Sequence, residues 1–251
     1  MQRPVFYSGT RNASSWALRA RLSLRAAGIE FEEVLVDIRY PQRLHNLAQI
    51  RRISPAGTIP LLIWEGRAIF DSLAIMEFAN DACGGRLLPA DLRWRAHARS
   101  LLAWQHAGLS NLMSRISFES AFYPLKRDLD DRELKEADRF FAAIEGPLAE
   151  SGGPFLFGPA SLADHALAPT AIKLSRHRVD ARSFPHARKW MGAIVEDAHV
   201  REWTDQADRL PPIWHESYLN GCEAENLWRS PSLADVGVLD LAQAGPELNL
   251  S

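Results

Sequence analysis

The chain has 251 residues, 47% of them hydrophobic and 24% charged, with a formal net charge of −2; this is the make-up of a globular chain able to bury a sizeable core. Near-neutrality removes the long-range attraction that nucleic-acid binders rely on. No apolar run reaches the ~18 residues of a membrane helix, so neither nucleic acid nor a membrane is an expected partner, and a cytoplasmic location is expected.

In chain order, Val5-Phe6-Tyr7 reads as a strand. Residues 14–27 carry helical spacing, with Leu18, Leu22 and Leu24 interleaved with Arg19, Arg21 and Arg25, and stop at Gly28. The arginines read as a solvated or ion-paired helix face. Residues 31–36 predict a second strand, and residues 41–53 form a mixed segment leading to Ser54-Pro55-Ala56-Gly57-Thr58-Ile59-Pro60. Leu61-Leu62-Ile63-Trp64 and Ala68-Ile69-Phe70 flank Glu65-Gly66-Arg67 as a hairpin. Asp71-Ser72 then caps a helix over 73–79.

Beyond residue 91 the strand signals end. Leu134, Ala137, Phe141, Ile144 and Leu148 fall at steps of three and four, one buried helical face. Ser151-Gly152-Gly153-Pro154 breaks the pattern, and Ser161-Leu162-Ala163-Asp164 fits a capping box, with a role in folding. Pro169 is expected to kink the following helix or end its first turns. Further helices are expected near 185–195 and 200–207. The change from mixed to helical pattern marks a domain boundary. The expected organisation is residues 1–83 as an α/β domain, 84–91 as linker, 92–215 as an all-helical domain and 216–251 as an acidic tail, six acids against Arg229. The fold class is α+β. Cys83 and Cys222 have neither CxxC nor zinc spacing and read as small apolar residues or incidental thiols, so no metal site is expected.

Four motifs, Ser14-Ser15-Trp16-Ala17-Leu18-Arg19-Ala20-Arg21, Ser54 to Pro60, Phe70-Asp71-Ser72-Leu73-Ala74-Ile75 and Phe155-Leu156-Phe157-Gly158 with Ser161 to Asp164, occur in an order and at separations that resemble the cytosolic glutathione transferases. The resemblance covers residues 4–215. It implies a thioredoxin-like domain followed by a helical bundle, a homodimer, and a detoxifying transferase using glutathione as co-substrate with no other cofactor. The second partner would be a small electrophile. The first motif is similar to the zeta-class pattern Ser-Ser-Cys-X-Trp-Arg-X-Arg, which places Ser14 on the catalytic serine and Ser15 on its supporting neighbour. Trp16 departs from that pattern, where a cysteine stands, and this departure counts against the zeta-type isomerisation of maleylacetoacetate.

The chemistry suits the residues. A free thiol has a pKa near ~8.5, so a site must favour its anion. Amides at a helix start and a hydroxyl donor do so without a protein base. Ser14 and Ser15 also fit plain helix capping, and Tyr7 is a rival donor or a packing residue. By the same resemblance Ile59-Pro60 is a cis-proline site facing the cysteinyl backbone of the tripeptide, and Asp71 and Ser72 hold its γ-glutamyl end. Trp16, Trp104, His106 and Met113 are expected around the second substrate, though apolar residues at helical spacing also fit a core. A glutathione-dependent isomerase and a non-catalytic binding or regulatory protein are the other readings of the same scaffold; a disulfide reductase needs a cysteine near residues 14–16, where there is none.

Overall fold

Alternating side chains sort the first third of the chain into a sheet with two different faces. The computed structural model describes residues 3–107, 109, 115–215 and 218. Strands β1 (Val5–Gly9), β2 (Glu32–Val36), β3 (Leu61–Trp64) and β4 (Arg67–Phe70) form one sheet in the order β2-β1-β3-β4, with β1 parallel to β2 and antiparallel to β3. Val5 and Tyr7 of β1 join Leu61 and Ile63 on one face, beneath Ile50 of helix α2 (Gln42–Ile50). Phe6 and Leu62 point to the other, under α1 (Ser15–Ala26) and α3 (Ser72–Ala82). The period-two pattern thus decides which residues α1 and α3 can cover. The β3–β4 hairpin turns at Glu65 and Gly66, both with positive φ (48° and 75°), the geometry that matches strand twist in a two-residue loop.

The remaining elements of the described residues are helical: α4 (Leu92–Ala107), a 3-10 turn at Glu119–Phe122, α5 (Asp131–Ser151), α6 (Leu162–Arg176), α7 (Pro185–Glu196) and α8 (Ala198–Asp208). This is a thioredoxin-like unit followed by a helical one, as the resemblance implies. Helix α6 is buried from Leu162 through Leu174 and packs against α1, α4 and α7. Its start is fixed by Asp164, whose carboxylate accepts from the amides of Leu156 and Ser161, the Ser161 hydroxyl and Trp190 Nε1 at 2.7–3.0 Å. The capping residues therefore also tie α6 to α7 and to the preceding loop.

The mixed segment, open from sequence to an irregular or a helical reading, forms a regular helix over residues 42–50. Pro169, expected to kink α6 or to end its first turns, does not end it, since the helix runs on to Arg176: proline removes one backbone donor, and packing on several sides holds the remaining turns. Leu134 is 40% exposed, whereas Ala137, Phe140, Phe141, Ile144 and Leu148 are buried; it lies in the first turn of α5, before that helix enters the core. Cys83 is partly buried against the main core. Cys222 and, apart from Tyr218, the acidic segment lie outside the described residues.

Candidate functional site

Two helix starts and one loop converge on a cavity of about 540 Å³. Its lining includes Ser14 and Trp16 from the start of α1, Ile59 and Pro60 from the loop before β3, Asp71 and Ser72 from the start of α3, and His106 from the end of α4. Residues distant in sequence and assigned separately to a common site are thus brought together.

Ser14 is the N-cap of α1, and its Oγ accepts from the Ala17 amide at 3.3 Å. As that bond uses a lone pair, the hydroxyl proton is left to be donated. The amides of Ser15 and Trp16 belong to the first helical turn, which has no intrahelical acceptor. Positive potential and an O–H donor therefore coincide at this end of α1. Close packing fixes Ser14: a Cβ built on Gly9, at the end of β1, would stand 2.6 Å from Ser14 Cβ and 2.5 Å from Ile59 Cδ1. The approach loop is held from the helical part of the chain. Trp203 Nε1 donates to the Arg11 carbonyl at 2.8 Å, the Arg11 guanidinium lies over the Trp203 ring, and Asn12 Nδ2 donates to the Pro211 carbonyl.

Ile59–Pro60 is a cis peptide, and the ladder between β1 and β3 ends at Leu61, beyond Ile59. Asp71 caps α3 through the Leu73 amide at 2.7 Å and holds a positive φ of 34°. Its side chain remains half exposed, with His106 Nε2 at 3.8 Å from Oδ2.

Other expected residues lie elsewhere. Ser15 is buried in the first turn of α1 and is not part of the cavity wall; its hydroxyl is a neighbour of the site rather than a lining group. Tyr7 sits on the opposite face of the sheet, its phenol pKa raised first by burial and then by Glu32. Trp104 stacks on Phe140 in the helical core, because its position on α4 faces α5 and not the α3 start. Met113 lies outside the described residues. Trp16 and His106 line the cavity, but at its Asp71–Ser72 end, their rings in edge contact with centroids 5.4 Å apart.

Sequence reasoning placed Arg19 on a solvated or ion-paired face. It is fully buried under the cavity, its Nε and Nη2 donating to Ser72 Oγ at 3.1 and 2.7 Å and Nη1 to Gln105 Oε1, while Nη2 lies 2.8 Å from His106 Nδ1. Burial lowers its pKa to about 10, against the opposing influence of Asp71. The missed signal was its three-residue offset from Trp16, which stacks the guanidinium on the indole, 4.2 Å from the ring centroid. Arg21 is also buried, paired with Glu33 and Glu202. Among the described residues no cluster of three or more histidine, cysteine, aspartate or glutamate side chains is arranged to hold a metal ion, and no helix is long and apolar enough to cross a membrane.

Residues 13–82 match the family model for the glutathione S-transferase N-terminal domain. The chain is 28% identical over 219 residues to the maleylacetoacetate isomerase of Mus musculus, covering 83% of this chain and 97% of the relative. It is 27% identical over 225 residues to glutathione S-transferase 1 of Dianthus caryophyllus, covering 86% and 96%. Among solved structures, a diazinon-metabolizing glutathione S-transferase of the silkworm Bombyx mori superposes with a TM-score of 0.65 at 19% identity, over 82% of this chain and 98% of that one. A glutathione transferase homologue from Burkholderia with bound glutathione gives 0.61 at 20%, over 82% and 98%. These two share the fold.

Proposed function

The chain belongs to the glutathione transferase family, and from that premise we propose that it is a glutathione-dependent enzyme in which the Ser14 hydroxyl and the first-turn amides of α1 hold the glutathione sulfur as its thiolate. The observation that carries the reading is the sharing of one cavity by Ser14, Ile59-Pro60 and Asp71-Ser72. The γ-glutamyl carboxylate lies on Ser72 and the start of α3, where amides and hydroxyl favour an anion, and Asp71 offsets the α-ammonium. The backbone of Ile59 meets the cysteinyl unit as an added strand.

Catalysis then needs little from the protein beyond electrostatics. The thiol proton passes to solvent, the Ser14 O–H donates to the sulfur anion, and the thiolate forms a C–S bond with a small electrophile whose displaced electron pair leaves with its leaving group or moves onto an adjoining acceptor. A homodimer in the cytoplasm belongs to the same reading. Ser14→Ala is expected to lower turnover by roughly 10- to 1000-fold, the range for removing one oxyanion-type donor, with an unchanged circular dichroism spectrum. Full activity in the Ser14→Ala/Ser15→Ala double variant would falsify the assignment.

The isomerase names among the curated relatives support a second reading, glutathione-dependent cis–trans isomerisation of maleylacetoacetate. It uses the same thiolate, adding to and then leaving the double bond. Parallel assays with a haloaromatic electrophile and with maleylacetoacetate separate the two, since only net conjugation consumes glutathione.

A further inference from the structure

A buried cation costs free energy unless a charge or a full set of acceptors surrounds it. The Arg19 guanidinium is fully buried, yet the partners it meets are neutral: Ser72, Gln105, His106 and the face of Trp16. Among the described residues no carboxylate forms an ion pair with it, and Asp71 acts on it only at longer range. The cavity lies directly beyond Ser72 and His106.

Donor and acceptor rules then fix two hydrogens. A guanidinium has no acceptor atoms. Ser72 Oγ accepts from both Nε and Nη2, so its own proton must be given away. Among the described residues its acceptor is Asp71 Oδ1 at 3.5 Å, a long contact for O–H···O. His106 Nδ1, 2.8 Å from Nη2, must likewise be the accepting nitrogen. Its hydrogen is therefore on Nε2, the atom turned toward Asp71 Oδ2 at 3.8 Å. One buried cation thus leaves an O–H and an N–H at the same end of the cavity.

We infer that Arg19 is a positioning residue that, without touching the ligand, turns the Ser72 hydroxyl and the His106 Nε2–H into a paired donor site for the ligand's carboxylate, which in turn becomes the countercharge of the buried guanidinium. This rests on the reading that the cavity takes glutathione, whose γ-glutamyl α-carboxylate is the anion concerned. The Trp16 ring, beside His106 in the cavity lining, lies over the guanidinium, so the large ring at this position shields the cation from water. His106, expected at the second substrate from sequence, is reassigned to the glutathione end.

The test compares glutathione with its analogue carrying a primary amide in place of the γ-glutamyl α-carboxylate, by calorimetry and steady-state kinetics. Arg19→Met is expected to raise the KM for glutathione about 10- to 100-fold, the range for a lost hydrogen bond to a charged group, with kcat within about threefold. The amide, which brings no countercharge but can still accept from the two donors, should lose far less affinity on Arg19→Met than glutathione does. His106→Gln, able to accept from Arg19 and donate to the cavity, should retain wild-type KM, while His106→Met should not. Long-range proton–nitrogen spectra of wild type should show the Nε2–H tautomer of His106.

An Arg19→Met enzyme with wild-type KM, or one that loses both ligands equally while folded, overturns the inference, as does an Nδ1–H tautomer in wild type. Should Arg19→Met fail to fold, the His106 pair and the tautomer spectrum decide. A wild-type chain that binds no glutathione overturns the transferase reading and this inference together; a wild type that binds, with insensitive variants, overturns this inference alone.

Discussion

Ser14 serves two purposes at one atom, since its Oγ accepts from the Ala17 amide while its proton remains available. Ser14→Ala should therefore cost about 1 kcal/mol of stability as a lost cap, a small change in thermal midpoint, beside a much larger loss of turnover. Gly9 offers a sharper separation. A methyl there meets Ser14 and Ile59 at 2.5–2.8 Å, closer than real side-chain contacts allow, so Gly9→Ala should displace the hydroxyl and lower activity at least tenfold with the sheet retained; wild-type activity in that variant would mean that Ser14 does not need its present position. At this scale the motif residues were legible because capping and helix-start chemistry are written in local sequence. Arg19 was not. A heptad of polar and apolar residues shows that a side chain is charged, but α1 is covered on nearly every side, and which polar position meets a neighbouring helix start is decided by packing from residues more than fifty positions away.

Among the elements, α6 organises the helical part, and Asp164 organises α6. Its four donors would all lose their acceptor in Asp164→Ala, so that variant should lose about 3 kcal/mol or more, read as a lower denaturant midpoint. Trp190→Phe removes one of the four, with a correspondingly smaller expected loss. Element type was readable where the period was long, as in α1 and α5, and the hairpin was readable from Glu65-Gly66. Residues 42–50 were not, for their pattern buries only Asn46 and Ile50, too few contacts to leave a clear period. Pro169 does not end α6, because a helix packed against α1, α4 and α7 tolerates one missing donor.

The two halves of the chain are joined through polar contacts that respond to pH. His165 of α6 lies 3.1 Å from the Ser23 hydroxyl of α1, and burial lowers its pKa to about 4; burial does the same for His177, also to about 4. Both histidines are neutral in the folded chain, whereas unfolded they take up a proton near pH 6.5. The unfolded state thus binds more protons between these limits, and stability falls as the pH drops from about 6.5 toward about 4, by about 2–4 kcal/mol per histidine. Thermal midpoints measured across that window should fall, and His165→Gln should flatten the slope. Glu33 adds a second joint: burial would raise its pKa, but Arg11 and Arg21 overcome that and hold it lowered, while Arg21 continues to Glu202 of α8. The order of domains was visible in the switch from mixed to helical pattern, but this joinery, made by single residues far apart in the chain, was not.

Helix α1, whose first turn forms one wall of the cavity, is gripped from behind by α6 and α8. Damage to that grip would therefore masquerade as a chemical defect: substitutions at Trp203 or His165, neither of which lines the cavity, belong in the same phenotypic class as those at Ser14 whenever a screen scores turnover alone. Selection acting on catalysis would, by the same token, police the seam between the halves as strictly as the pocket.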